Sequence, residues 1–162
     1  MADLETRDIL LREDDLTDPR VRDLVALHLN GMHENSPQEN VFALGISSLQ
    51  QSEVTVWSAW HDDQVAAIGA LNEVDTQTGE IKSMRTHPDF LRMGIAGKVL
   101  EHIITVAQSR SYKRLCLETG SGEAFDAALG LYRKRAFIPC DAFGEYEKSE
   151  FNQFFALDLQ KH

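Results

Sequence analysis

Apolar positions change their period along the chain, and each change marks a new element. Ile9-Leu10-Leu11-Arg12 reads as a short first strand. From Pro19 to Asn30, Val21, Leu24, Val25, Leu27 and Leu29 form a helical stripe, which Gly31 and Asn35-Ser36-Pro37 break. A second short helix is predicted over Gln38 to Leu49. The period then shortens to two. Val54, Val56 and Ser58 alternate with Thr55, Trp57 and Ala59, His61 to Gln64 turns, and Val65 to Val74 returns as a strand with Gly69 inside it. Asp75 to Gly79 is a second turn, and Glu80 to Thr86 a third strand of the same antiparallel meander.

Beyond Pro88 the pattern is helical again, with Ile95, Val99, Ile103, Val106 and Ala107 on one face. Lys113 to Thr119 reads as a strand, and Glu123 to Arg135 as a helix carrying Phe125, Ala128, Leu131 and Tyr132 in a stripe. Phe137 to Cys140 and Phe154 to Leu159 close the chain as strands. A crossover through one helix makes the Glu80 and Lys113 strands parallel neighbours. The expected fold is α/β (α+β). It has a mixed sheet of about seven strands, mostly antiparallel with one parallel pair, flanked by about four helices.

Composition narrows the function. The 162 residues suit a single domain, 1–162, and are 43% hydrophobic and 26% charged. Acidic residues number 26 against 16 basic ones, a formal −10. Nucleic acids and anionic membrane surfaces call for the opposite balance, so neither is expected as a partner. Two cysteines, Cys116 and Cys140, make neither a disulfide scaffold nor a metal-spaced pair, and no metal is expected. MADLETRDILLRE lacks a signal sequence's apolar run, and no stretch approaches the ~20 residues of a membrane span. A cytoplasmic protein is the expectation.

The segment richest in candidate chemistry runs from Met84, Arg85 and Thr86 through His87-Pro88 to Leu91, Arg92, Met93, Gly94, Ile95, Ala96, Gly97 and Lys98. A strand ends, a loop follows, and small residues open a helix. The first N–H groups of a helix have no internal partner and carry partial positive charge, so with glycines at the turn they can cradle phosphate oxygens. Arg92 and Lys98 could add charge. Glycines there equally permit plain loop and helix packing. No Gly-Lys-Ser/Thr ends the loop, and a full Gly-x-Gly-x-x-Gly is absent.

The stretch from Gly79 to Phe137 resembles the GCN5-related N-acetyltransferase (GNAT) superfamily. Glu80-Ile81-Lys82-Ser83-Met84, the His87-Pro88 loop, Gly94-Ile95-Ala96, Leu117-Glu118-Thr119, and the helix set Ala128, Leu131, Tyr132, Lys134 and Phe137 match its motifs in order. Two positions depart: Leu91 stands where the family has Arg or Gln, and Ala136 where it has Gly. The resemblance implies acetyl-CoA as co-substrate. It implies a bulged Glu80 strand splaying from the Lys113 strand, and a pantetheine arm paired with backbone at Met84 and Thr86. Ile81 and Met84, three apart, are compatible with such a bulge. Residues 84–86 and 91–98, with Tyr132, are the expected cofactor contacts.

Amide formation needs a deprotonated amine, donors for the thioester oxygen, and a proton for the leaving thiolate. The resemblance implies Tyr132 as the acid and Glu118 as the base, with Glu80 as the other candidate base. His33, Glu34 and Asn35 lie where the fold places its acceptor-binding segment, and Glu145 and Tyr146 lie on a loop that would close over the site. The expected reaction is direct acetyl transfer in a ternary complex to a primary amine of a small molecule. A protein N-terminus or lysine is the alternative acceptor. A silent acyl-CoA-binding module is the alternative from another class. An edge strand would permit a homodimer.

Overall fold

The computed structural model describes residues 9–26, 49–119, 126–143 and 153–159. β1 is Leu10–Asp14, residues 19–26 form α1, β2 is Val54–His61, β3 Gln64–Asp75 and β4 Thr78–Thr86. A 3-10 turn at Pro88–Phe90 leads to α2, Ile95–Ser109. β5 is Arg114–Thr119, α3 Asp126–Lys134, β6 Ile138–Pro139 and β7 Gln153–Asp158. The strands form one sheet in the order β1-β2-β3-β4-β5-β7-β6. Among the described residues only β4 and β5 run parallel.

The expected sheet is therefore present, with adjusted boundaries. Gln77 N donates to Asp75 Oδ1 at 2.8 Å and tightens the β3–β4 turn, so both strands run further into it than the turn-forming residues suggested. Of the last two strands β6 is shorter than expected, at two residues, while β7 keeps its six residues and begins one residue earlier. Beside the 3-10 turn, three α-helices longer than one residue lie among the described residues. Of the predicted Gln38–Leu49 helix only Leu49 is described, and it is helical.

Strand alternation sorts side chains onto two faces, each with its own core. Trp57, Ala59, Ala67, Leu71 and Ile81 meet Val99, Leu100 and Ile103 of α2; Leu115, Leu117, Phe155 and Leu157 continue that core towards Leu129 and Tyr132 of α3. On the opposite face Val56, Trp60, Ile68 and Ala70 pack with Val21, Leu24 and Val25 of α1. Because β2 and β3 are covered on both faces, they read as nearly unbroken apolar runs. The two tryptophans divide accordingly. Trp57 meets His102 of α2 edge-on at 5.3 Å, while Arg12 and Arg20 lie 4.0 and 4.6 Å from the Trp60 ring centroid.

Candidate active site

The sheet opens where β4 leaves β5. Their rungs are Thr78–Arg114, Gly79–Leu115 and Glu80–Cys116; no further rung joins them among the described residues, though both strands continue. A β-bulge follows the parting. Ile68 pairs with Arg85 and Ala70 with Lys82, so Ser83 and Met84 together oppose Gly69. Ser83 takes φ 57°, the left-handed region an L-residue adopts only at a cost.

Gly69 makes room for this bulge. A Cβ there would lie 2.6 Å from Met84 Sδ and 2.7 Å from Val99 Cγ1. The glycine thus lets the Met84 side chain and α2 reach the β3 backbone together. Sequence reading noted Gly69 but gave it no role, because its partners come from a neighbouring strand and a helix far along the chain.

Beyond β4 the loop is pinned before it reaches α2. His87 N donates to Ala66 O at 2.8 Å, and His87 Nδ1 accepts from Asp89 N at 3.1 Å, capping the 3-10 turn. Phe90 is buried, with the rings of His61 and His87 edge-on at 6.1 Å each. Leu91 is exposed, and Arg92 is exposed with φ 64°. Gly94 caps α2 at φ 79°, where glycine bears no Cβ penalty. Its carbonyl accepts from Lys98 N, so Ile95, Ala96 and Gly97 hold helix-start N–H groups without an i−4 partner. That is the donor set a phosphate requires.

Two members of the expected loop have other work. Lys98 Nζ donates to Ile9 O at 2.8 Å and ties the chain before β1 to α2. A Cβ on the buried Gly97 would lie 3.0 Å from Arg135 Nη2 and 3.7 Å from Leu131 Cδ1, so its smallness serves α3 packing. Arg135 Nε in turn lies 3.0 Å from Glu101 Oε1, linking the end of α3 to α2.

Pairing register distributes the catalytic candidates between the faces. Tyr132 belongs to the core on the α2 and α3 face. Its ring meets Phe137 edge-on at 5.6 Å, and burial pushes its phenol well above the usual tyrosine range. Among the described residues nothing hydrogen-bonds its hydroxyl. Glu80 pairs with Asn72 and Cys116, two rungs from Ala70 and its α1-facing core. Glu118, two residues past Cys116, shares that face. Glu80 is 3% exposed; its carboxylate accepts from Asn72 Nδ2 at 3.2 Å and lies 3.6 Å from Lys82 Nζ. Glu118 is half-buried on the β5 side. Acid and base candidates thus approach from opposite faces of a sheet that is open between them.

Cys116 is wholly buried at the last rung, with Sγ 3.4 Å from Gly79 O, and burial pushes its thiol up to about 12. It stays protonated, which suits a packing residue and not a nucleophile. His33, Glu34, Asn35, Glu145 and Tyr146 lie outside the described residues. Among the described residues there is no cluster of three or more metal-ligating side chains, and no helix is long and apolar enough to cross a membrane.

Residues 19–137 match the acetyltransferase (GNAT) family. The chain is 45% identical over 149 residues to the uncharacterized N-acetyltransferase YedL of Escherichia coli, covering 92% of this chain and 94% of that one. It is 46% identical over 149 residues to the uncharacterized N-acetyltransferase YsnE of Bacillus subtilis, covering 92% and 99%. Among solved structures, a GNAT family acetyltransferase from Elizabethkingia anophelis with acetyl-CoA bound superposes with TM-score 0.69 at 20% identity, covering 93% and 98%.

Proposed function

The chain belongs to the acetyltransferase (GNAT) family, and from that premise we propose that it acetylates the primary amine of a small molecule by direct transfer from acetyl-CoA. The observation that carries this reading is the opening between β4 and β5, with a buried, protonated tyrosine on one face and two carboxylates on the other.

Each residue's part follows from its surroundings. Backbone groups of β4 beyond Glu80 face the opening without a β5 partner and can pair with the amides of a pantetheine arm. The N–H groups of Ile95 and Ala96, at the mouth of α2, suit its pyrophosphate. Glu118 accepts the amine proton, directly or through water, with Glu80 as the second candidate. An N–H near Met84 steadies the thioester oxygen as it gains charge. Tyr132, kept neutral by burial, gives its proton to the departing sulfur. The nitrogen–carbon bond forms as the carbon–sulfur bond breaks. The protonated thiol of Cys116 supports a route without an acyl-cysteine.

Release of CoA thiol across a panel of amines tests the reading. Initial rates with both substrates varied should give intersecting lines; parallel lines would overturn direct transfer. Tyr132→Phe should lower kcat about 100-fold while the KM for acetyl-CoA changes little. An undiminished kcat removes Tyr132 from this role. Acetyl-CoA binding with no turnover of any amine or peptide would favour a silent binding module. Turnover confined to peptides would move the acceptor to a protein.

A further inference from the structure

On the α1-facing side of the sheet the lip of the opening carries an arginine with no ion-pair partner among the described residues. Arg85 pairs with Ile68, whose side chain belongs to the core beneath α1, so the register places Arg85 on that same face. It is half-buried, and its guanidinium has neither an ion pair nor a hydrogen bond among the described residues. This contrasts with its neighbour on the face. Lys82 pairs with Ala70 and holds its ammonium 3.6 Å from Glu80. A guanidinium kept partly out of water gains most from a planar anion it can bind through two parallel N–H bonds.

We propose that Arg85 binds a carboxylate carried by the acceptor, so that the substrate class is a small zwitterion bearing both a primary amine and a carboxylate. The inference rests on the acetyltransferase reading above. Glu80 lies on the same strand and face, four β3 positions away by register, from its partner Asn72 to Arg85's partner Ile68. That is about 13 Å of strand, which a long guanidinium arm at one end and carboxylates at the other narrow to the size of a small zwitterion. Glu118 adds a second carboxylate on this face from across the opening. The ammonium end is then drawn towards the candidate bases and the carboxylate end towards Arg85, which aims the amine at the opening. The charge of the whole chain agrees. A formal −10 repels a free anion but imposes no net long-range penalty on a zwitterion.

The test uses matched amine pairs, each an amino acid and its decarboxylated counterpart, assayed by CoA thiol release. The readout is the ratio of kcat/KM within a pair, so that any general loss of folding or donor binding in a variant cancels. The wild-type chain should prefer the carboxylate-bearing member. Arg85→Gln should reduce that preference by about tenfold to a hundredfold, the effect of removing a charged hydrogen-bonding partner. Arg85→Lys should restore part of it, since the charge returns without the bidentate geometry. Turnover of amines with no carboxylate preference, or a preference that Arg85→Gln leaves intact, would overturn this inference and leave the transferase reading standing. Acetyl-CoA binding without transfer to any amine would overturn both.

Discussion

Ala136 shows how a single departure from a family pattern becomes a measurable cost. Where the family has glycine, this chain has alanine, and the structure holds it at φ 72° just past α3. Its N–H bonds the Arg133 carbonyl at 3.1 Å, and Phe137 N reaches back to Tyr132 O at 3.2 Å, so the helix still ends in a left-handed turn. An L-residue pays about 1–2 kcal/mol for that conformation. Ala136 is exposed, so removing its methyl group costs little packing. Ala136→Gly should therefore raise stability by about 1 kcal/mol, or about 2–4 °C in Tm, read by thermal unfolding. The choice between a strained helix end and a different one was open at the level of sequence. It turns on a torsion angle that the Phe137 anchor imposes, and Phe137 is held by contact with Tyr132.

At the scale of elements the bulge in β4 organises the site, and it depends on Gly69 as much as on β4 itself. Gly69→Ala would press a methyl group against Met84 Sδ and Val99 Cγ1. The expected loss is about 1–3 kcal/mol, from overpacking in a dense core. Because the methyl group displaces Met84, the KM for acetyl-CoA should rise more than kcat falls; steady-state kinetics beside a denaturant titration separates these. The meander, the crossover and the parallel seam were legible because each leaves a periodic signature. The bulge left a fainter one, the three-residue step from Ile81 to Met84. Gly69's part left none, because it lies in contacts between residues remote in sequence. The same holds for Lys98, whose position at the helix start suggested phosphate but whose ammonium bonds Ile9 O. By sequence alone Arg85 belongs with the segment expected to hold the co-substrate. Only the register across the bulge shows which face it occupies.

For the molecule as a whole, buried protonated groups set the alkaline limit of stability. The Cys116 thiol is pushed up to about 12, against about 8.5 in an unfolded chain. Its folded value is the higher one, so its contribution is complete below about pH 8.5 and is lost as pH climbs towards 12. Burial raises Tyr132 and Tyr112 as well, extending the decline beyond pH 10. Tm should hold steady from pH 7 to 8.5 and fall above pH 9, and Cys116→Ala should show a shallower fall over pH 9–11. A fall of unchanged slope would place the limit elsewhere. The seam that Cys116 closes has one more consequence. An ordinary open sheet has two edges, both at its margins and both open to pairing with another chain. By ending the β4–β5 ladder at Glu80 and Cys116, this protein acquires two more edges in the middle of its sheet. Apolar cores lie on both faces of the sheet around them. A liability that most proteins hide at their margins is thus moved inward, where the proposed pantetheine arm would complete the sheet.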